Sequence, residues 1–395
     1  MSGHKRIRGQ QDLALNGAAP AFAEPIHVGR PNLAPRDAIM QRLGAMLDSR
    51  WLTNNGPLVQ EFEQRVARYL GVRHCVAMCN GTIALEIAIR ALGLGGEVIV
   101  PSYTFIATAH ALHWQGLTPV FADIDPATHN LDPAAVRRMV TPRTTGIIGV
   151  HLWGRPAPHR ELAAVADEFG LKLMYDAAHA FGCSSGGRLV GNLGACEVLS
   201  FHATKFFNTL EGGAVVTEDD ELAQTMRLMR NFGFAGFDNV VYPGTNGKMI
   251  EACAAVGLAN LEGIDDVVAA NRRNLERYRA ALAGIEGVTL LDYDAAERNN
   301  YQYVVMEVAD SFPASRDRIV EALQAEGLLA RRYFWPGCHR MRPYRDLNPH
   351  AGLLLPHTEA VARRVVVLPT GTTLPDAAID VVADVVGVLA RGAKA

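Results

Sequence analysis

Between residues 75 and 217, short apolar runs alternate with longer stretches of helical periodicity. The short runs predict strands at Cys75–Cys79, Val98–Pro101, Thr118–Ile124, Gly146–Leu152, Leu171–Asp176, Val198–Phe201 and Ala214–Thr217. The longer stretches predict helices at Thr82–Leu92, Phe105–Trp114, Pro133–Val140 and Ala157–Phe169. This alternation favours a mostly parallel seven-stranded sheet with helices on both faces. Because a short polar loop joins the last two strands, that connection is expected to be antiparallel or irregular.

Amphipathic helices are predicted before this sheet. A helix is expected at Arg36–Ser49. Its apolar residues Ile39, Leu43 and Leu47 share one face. A turn-rich loop then precedes a second helix at Val59–Leu70.

The pattern changes after the last strand. Helices are predicted in succession at Glu221–Arg230, Lys248–Leu261 and Val267–Leu282. The third is long and rich in arginine, as expected of a connection between two domains. Strand and helix candidates then mix at Val288–Leu291, Tyr303–Val308, Arg316–Ala325, Thr358–Val365 and Asp376–Val388. This mixture suits a smaller α+β domain.

These patterns divide the chain into three regions. Residues 1–24 are predicted to be a flexible tail, because the basic run His4–Arg8 is not followed by the apolar core of a signal peptide. Residues 25–264 are predicted to form a large domain around the sheet, and residues 265–395 a small C-terminal domain. Without a signal peptide, we expect a cytoplasmic protein.

The composition narrows the possible functions. The chain has 395 residues, of which 49% are hydrophobic and 20% charged, and its formal net charge is −3. Since positive charge is not in excess, nothing favours a nucleic-acid partner. No apolar run approaches the ~20 residues of a membrane span. The six cysteines form no Cys-x-x-Cys pair and no ligand pattern with histidine, so we expect reduced thiols and no metal site.

Two polar residues lie where ligand chemistry is expected. Lys205 follows the predicted strand Val198–Phe201, and Asp176 ends the strand Leu171–Asp176. Open α/β sheets bind ligands at the carboxyl ends of their strands. Alone, Lys205 could equally be a solvated loop cation, and Asp176 a helix cap. Together they meet the needs of pyridoxal phosphate (PLP): a lysine that binds the aldehyde and a carboxylate that keeps the pyridine nitrogen protonated.

Three stretches of the chain resemble the DegT/StrS-type sugar-nucleotide aminotransferases: YDAAHAFG, SFHATKFFNTLEGGAVVT and PGTNGKMIEACAAVGLANLE. The resemblance runs from about His27 to about Asp376. It implies the aspartate-aminotransferase (type I PLP) fold, PLP as cofactor, and Lys205 and Asp176 as catalytic residues. Related sugar dehydratases carry histidine at the lysine position, so lysine here favours aminotransfer.

The chain also offers a phosphate site. Asn80, Gly81 and Thr82 follow a predicted strand and open a helix, whose free amides and positive dipole end attract anions. Thr82 could instead only cap this helix. The resemblance places the cofactor phosphate at Gly81 and Thr82, and adds the hydroxyl of Ser200.

Further cofactor contacts come from the resemblance. It implies that Phe105 stacks on the pyridine ring, with Tyr103 as the alternative, and that His179 lies beside the ring oxygen. His202 is expected near the lysine. Asn246 is expected to cross a homodimer interface to the phosphate bound by the partner subunit.

The substrate contacts are expected from the same resemblance. Many members carry Tyr-Arg where this chain has Gly247-Lys248, and this difference changes what lines the active-site entrance. Together with the run RRYFWPGCHRMRPY, it is similar to enzymes that aminate 4-oxo-6-deoxy sugars on a thymidine diphosphate carrier. The expected substrate contacts are Arg30, Asn208, Lys248, Arg331, Tyr333 and His339.

The resemblance implies one main activity. We expect transfer of an amino group from L-glutamate to C4 of a dTDP-4-dehydro-6-deoxy-hexose, in deoxyaminosugar biosynthesis. Amination at C3 of the 3-dehydro sugar is the close alternative. A PLP-binding regulator without turnover is the alternative from another class.

Overall fold

Fourteen strands are present in the computed structural model, which describes residues 5–392. In chain order they are β1 (Ile26–His27), β2 (His74–Met78), β3 (Glu97–Pro101), β4 (Thr118–Ala122), β5 (Thr144–Val150), β6 (Lys172–Asp176), β7 (Ser184–Ser185), β8 (Arg188–Leu189), β9 (Glu197–Ser200), β10 (Gly213–Thr217), β11 (Val288–Leu290), β12 (Val304–Val308), β13 (Leu328–Leu329) and β14 (Val365–Leu368).

Seven of these strands form the central sheet, in the order β2-β10-β9-β6-β5-β3-β4. Strands β4, β3, β5, β6 and β9 pair in parallel, whereas β10 runs antiparallel to both β9 and β2. The predicted seven-stranded, mostly parallel sheet is therefore confirmed. The expected irregular connection is the antiparallel step from β9 to β10.

Thirteen α-helices are present in the described part of the chain. They are α1 (Arg36–Ser49), α2 (Pro57–Leu70), α3 (Gly81–Ala91), α4 (Ala107–His113), α5 (Pro133–Met139), α6 (His159–Phe169), α7 (Asp220–Met229), α8 (Glu251–Glu262), α9 (Ile264–Leu282), α10 (Arg316–Ala325), α11 (Tyr344–Leu347), α12 (Pro356–Arg364) and α13 (Asp376–Ala390).

The central sheet is buried on both faces. One face packs against residues of α3, α4 and α7, and the other against residues of α2, α5, α6 and α8. Neighbouring residues of one strand therefore serve different cores: Met174 belongs to the first and Tyr175 to the second. Because both faces are apolar, polar side chains that could contact a ligand are expected at the ends of the strands.

The start of β10 lies very close to the first turn of α3. Gly213, at the start of β10, pairs with Ser200 on one side and Met78 on the other. A Cβ atom on Gly213 would lie 2.6 Å from the backbone nitrogen of Gly81. Glycine is therefore required here, and it lets the first turn of α3 sit directly against β10.

The small domain is built on an antiparallel sheet in the order β11-β12-β14. Helices α9, α10 and α13 supply much of its core, through residues such as Leu275, Leu323 and Val385. The predicted elements are present, and the bounds of α1 and α10 agree with the prediction to the residue.

The described part of the predicted tail is ordered, so that prediction is wrong from Lys5 onward. Ile7 and Leu13 are buried in the core of the small domain. Glu326, which is fully buried, accepts hydrogen bonds from Lys5 Nζ at 2.8 Å, Ala14 N at 2.7 Å and Ala21 N at 2.9 Å. The chain then enters β1, which pairs in parallel with β13.

The predicted apolar face of α1 is largely uncovered. Leu47 is exposed, Ile39 and Leu43 are only half-buried, and Met46 is the buried residue of this helix. Within residues 5–392, none of the helices is both long and apolar enough to span a bilayer.

Candidate active site

A cavity of about 610 Å³ opens at the carboxyl ends of the central strands, and we call it the strand-end cavity. Asp176 ends β6, Ser200 ends β9, and the turn after β2 leads into α3. Parallel strands bring these ends to one edge of the sheet. The polar and aromatic lining includes Gly81, Thr82, Phe105, Asp176, His179, Ser200, His202, Lys205, Tyr303, Tyr333 and Phe334.

Lys205 lies in the turn between β9 and β10. Its backbone nitrogen donates to His202 O at 2.9 Å, which closes the turn and directs the side chain into the strand-end cavity. Burial lowers the pKa of the ammonium group to about 8, although the Asp176 carboxylate opposes this shift. A substantial fraction of the amine is therefore unprotonated near neutral pH, as a nucleophile or base requires.

Asp176 is buried at the end of β6. Its Oδ2 accepts a hydrogen bond from Thr108 Oγ1 at 2.8 Å, and its Oδ1 accepts one from Ala178 N at 3.1 Å. Burial raises the pKa of this carboxyl, whereas the two donors and the charge of Lys205 act in the opposite direction. The strand-end cavity thus presents an acid with fixed oxygens to any cationic nitrogen of a ligand.

His179 is held as a neutral ring. Its Nδ1 accepts from Trp153 N at 3.3 Å, and its ring lies 5.9 Å from that of Phe334 and 4.7 Å from that of Tyr303. Burial and the nearby Lys205 keep the pKa well below its usual value. Because Nδ1 accepts, Nε2 carries the proton and can donate to a ligand oxygen.

The first turn of α3 forms the anion end of the strand-end cavity. Asn80 Oδ1 accepts from Ile83 N at 2.9 Å, so Asn80 caps the helix and Thr82 does not. The first amides of a helix, here those of Gly81 and Thr82, lack partners within the helix. A Cβ atom on Gly81 would lie 3.1 Å from Ser200 Cβ, so the Ser200 side chain sits beside these amides.

Phe105 and Tyr103 have different environments. Phe105 is 57% exposed and lines the strand-end cavity, whereas Tyr103 is fully buried and donates to Tyr333 O at 2.7 Å. Of these two residues, only Phe105 is therefore available to cover a bound ring. His202 also lines this cavity, with its Nδ1 2.8 Å from Thr204 Oγ1 and its Nε2 3.5 Å from Glu211 Oε1.

A smaller cavity of about 300 Å³ adjoins the first, and we call it the arginine cavity. Arg30, Arg331 and Tyr333 line it, and it shares Thr204 and Tyr333 with the strand-end cavity. The Arg331 guanidinium lies 5.2 Å from the centre of the Tyr333 ring. Three predicted substrate residues are thus brought together beside the lysine.

Two predicted substrate residues are used by the fold instead. Asn208 is fully buried, and its Nδ2 donates to Asn32 O at 2.8 Å while its Oδ1 accepts from Leu210 N at 3.2 Å. His339 is buried with Nδ1 2.7 Å from Ser102 Oγ and Nε2 2.8 Å from Glu359 Oε1. The predictions for both residues are wrong, because their polar atoms are already paired and neither lines the cavities.

Lys248 and Asn246 lie outside the strand-end cavity of their own chain. Lys248 Nζ donates to Asn231 Oδ1 at 3.0 Å and lies 4.7 Å from the Phe232 ring centre, in a separate cavity of about 240 Å³. Asn246 is exposed and paired with Asn231 in an isolated bridge. The predicted helix at Lys248 begins later, at Glu251, so both residues lie in an extended segment.

Sequence reasoning missed three members of the site. Thr108 bonds Asp176, and Tyr303 and Phe334 pack on the ring of His179. Thr108 carried one signal, since it lies one helical turn beyond Phe105. Tyr303 and Phe334 come from the small domain and gave no local signal. In residues 5–392 no three His, Cys, Asp or Glu side chains converge as a metal site would require.

The strand-end cavity thus has the parts of a covalent-cofactor transferase: an amine with a lowered pKa, a buried carboxylate and an anion site on one sheet edge. A sequence model of the DegT/DnrJ/EryC1/StrS aminotransferase family matches residues 34–387. The chain belongs to this family.

Two curated proteins illustrate the similarity. A dTDP-4-amino-4,6-dideoxy-D-glucose transaminase of Escherichia coli is 37% identical over 350 residues, which are 88% of this chain and 94% of that protein. A GDP-perosamine synthase of Caulobacter vibrioides is 36% identical over 362 residues, covering 90% and 95% of the two chains.

A solved structure extends the comparison to three dimensions. The crystal structure of DesI, determined in the presence of its TDP-sugar product, is 53% identical to this chain. It superposes with a TM-score of 0.92 and covers 97% of each chain. The predicted aspartate-aminotransferase fold is therefore confirmed.

Proposed function

We propose that this protein binds PLP in the strand-end cavity and transfers an amino group from L-glutamate to C4 of a dTDP-linked 4-keto-6-deoxy sugar. The observation that carries the proposal is that Lys205 and Asp176 line one cavity whose end is the first turn of α3. The relatives act, by their names, on amino sugars carried by dTDP or GDP.

The residues present fit the cofactor. The free amides of Gly81 and Thr82 and the hydroxyl of Ser200 suit a phosphate group. Asp176, buried and hydrogen-bonded on both oxygens, suits a protonated ring nitrogen. His179 Nε2 suits an oxygen acceptor, and Phe105 can cover the ring face.

Each residue then has a defined task. When bound, PLP withdraws electrons from the substrate carbon that carries nitrogen. Lys205 Nζ takes the proton from that carbon in one half-reaction and returns it in the other, for which a pKa of about 8 is well matched. Asp176 would supply the negative charge that a protonated ring nitrogen requires. This complete set argues against a regulator without turnover.

The arginine cavity supports a nucleotide-diphosphate substrate. Within residues 5–392, no ion pair joins Arg30 or Arg331 to a carboxylate of the same chain. Uncompensated guanidinium groups at the mouth of a site suit phosphate oxygens. The shared wall of Thr204 and Tyr333 would then hold the sugar between the diphosphate and Lys205.

The exposed surface supports the proposed homodimer. Large apolar side chains are exposed on α1, on the loop that follows it and on the segment before α8: Met40, Leu47, Trp51, Leu52, Phe232, Phe234 and Phe237. Exposed apolar surface of this kind marks an interface. Asn246 and Lys248 belong to the same segment, so a second copy would receive them at its own cavity. The six free cysteines support the predicted reducing, cytoplasmic setting.

The test is product analysis. The purified protein loaded with PLP is incubated with L-glutamate and dTDP-4-dehydro-6-deoxy-glucose, and the nucleotide sugar is examined by NMR. We expect a 4-amino sugar and 2-oxoglutarate. An amino group at C3, obtained only with the 3-dehydro sugar, would replace C4 by C3 transfer. No nitrogen in any keto-sugar nucleotide would overturn the activity.

A further inference from the structure

A chain of hydroxyl groups leads to the carboxylate of Asp176. Thr108, in α4, is fully buried, and its Oγ1 lies 2.8 Å from Asp176 Oδ2. Thr104 is also buried, and its Oγ1 lies 3.2 Å from Thr108 Oγ1. Helical threonines commonly return their hydroxyl to a carbonyl of the preceding turn. Thr108 instead directs it away from its helix, to another strand end.

The direction of this chain follows from the acid. An ionised carboxylate can only accept hydrogen bonds. Thr108 must therefore donate its hydroxyl proton to Asp176, and this leaves Thr108 as the acceptor for Thr104. Each bond polarises the next, so the donor to Asp176 is a strengthened one. If Asp176 were protonated, this fixed direction would be lost.

Resting on the proposed function, we infer that Thr108 is a positioning residue of the aminotransfer reaction, which keeps the Asp176 carboxylate ionised and turned toward the cofactor nitrogen. Valine has nearly the same shape as threonine, so a Thr108→Val substitution would remove the hydroxyl and leave the packing almost unchanged. Among the described residues, the Thr108 hydroxyl supplies one of the two hydrogen bonds to the Asp176 carboxylate, the other being from Ala178 N.

The surroundings of Asp176 make this hydroxyl matter. Burial disfavours the charged form of the carboxylate. The charge that opposes burial is first that of Lys205. His151 also lies near this carboxylate, and its Nδ1 accepts from Ala157 N at 2.9 Å while its Nε2 lies 3.3 Å from Glu197 Oε2. His179, held neutral, also faces the strand-end cavity. If Lys205 were joined to the cofactor, Asp176 would no longer face its free ammonium group, and the hydroxyl of Thr108 would supply a larger part of the support.

The experiment compares Thr108→Val with Thr108→Ser. Valine removes the hydroxyl and serine keeps it. For each variant we measure the equilibrium affinity of the apoenzyme for PLP from pH 5 to 9, and the rate of the glutamate half-reaction. We expect Thr108→Val to bind PLP about 10-fold more weakly at neutral pH, since it loses a hydrogen bond to a charged group. As the pH is lowered, the affinity of Thr108→Val for PLP should begin to fall at a higher pH than that of the wild type. Thr108→Ser should restore both the affinity and its pH dependence.

A matched control is available elsewhere in the chain. Thr358 Oγ1 donates to Asp123 Oδ1 at 2.8 Å, and both residues are buried outside the strand-end cavity. Thr358→Val removes the same kind of bond and reports the cost of a lost hydroxyl to the fold. We expect Thr358→Val to lower the melting temperature as Thr108→Val does, without weakening the binding of PLP.

The outcomes separate the inference from the proposed function. Equal PLP affinity and pH dependence in Thr108→Val and the wild type would overturn the positioning role. So would a Thr108→Ser variant as weak as Thr108→Val, or a Thr358→Val variant that loses PLP equally. Because PLP binding needs no sugar, failure of the wild type to aminate any keto sugar would count against the proposed activity alone.

Discussion

The strand-end cavity and the arginine cavity adjoin, yet their side chains are held in different ways. In the first, Asp176 and His179 are buried and each is fixed by bonds to the backbone or to neighbouring side chains. In the second, Arg30 and Arg331 are exposed on irregular segments, with no carboxylate partner in residues 5–392. The proposed chemistry thus rests on side chains that the fold holds in place, and the proposed substrate contacts rest on exposed side chains of irregular segments.

The largest effect is expected inside the strand-end cavity. Lys205→Ala removes the group that is proposed to hold the cofactor and move the proton, so transamination should fall by at least about 1,000-fold. The measurement is single-turnover formation of 2-oxoglutarate from glutamate. Lys172→Ala, which removes an exposed lysine at the start of β6, is the control and should leave the rate unchanged. Full activity in Lys205→Ala would refute the assignment.

A smaller loss is expected at the acid. Asp176→Asn keeps the shape of the side chain but removes its charge, so the ring nitrogen would lose its counter-ion. We expect the glutamate half-reaction to slow by roughly 100-fold, as for other removed electrostatic partners. Stopped-flow spectroscopy can follow it. Asp167→Asn, on the exposed side of α6, should behave as the wild type; a loss there as well would point to a general defect.

The arginine cavity should respond in a different kinetic parameter. Arg331→Ala should raise KM for the nucleotide sugar by roughly 10- to 100-fold, through lost charge-assisted bonds to phosphate. The glutamate half-reaction should not change, because the strand-end cavity is intact. Arg332→Ala is the matched control, since the Arg332 guanidinium pairs with Asp317 at 3.0 Å instead of facing the arginine cavity. Equal slowing of both half-reactions in Arg331→Ala would erase the contrast between the cavities.

A pH effect completes the series. The pKa of Lys205, about 8, is depressed from its ordinary value, so the amine becomes reactive as pH rises through that value. The rate at which the apoenzyme captures PLP should increase about 10-fold from pH 7 to pH 9 and then level off. Absorbance of the bound cofactor gives the rate. A rate that keeps rising about 10-fold per pH unit through pH 9, without levelling off, would show that the pKa of the amine is not lowered.

The same contrast explains what sequence could predict. Lys205 follows a predicted strand and Asp176 ends another. In a parallel sheet the carboxyl ends of the strands lie at one edge, so the two residues were expected to lie close together. The seven strands and the bounds of α1 and α10 follow from short-range patterns of apolar residues. These features depend on local sequence, so they were predictable.

Side chains outside the regular elements were harder to place. Asn208 and His339 lie in turns near the site, and their sequence context resembles that of a binding residue. Whether they face a ligand depends on distant partners, the Asn32 carbonyl in one case and Glu359 in the other. The prediction for the N-terminal segment failed for a similar reason, because Ile7 and Leu13 are single apolar residues without periodicity.

The hydrogen bonds that Glu326 accepts from the N-terminal segment link that segment to the proposed substrate site. They fasten residues Lys5 to Ala21 onto the small domain, and the chain that follows leads within a few residues to Arg30 in the wall of the arginine cavity. Changes to this amino-terminal segment are therefore expected to be felt at the cavity wall where the nucleotide is proposed to dock.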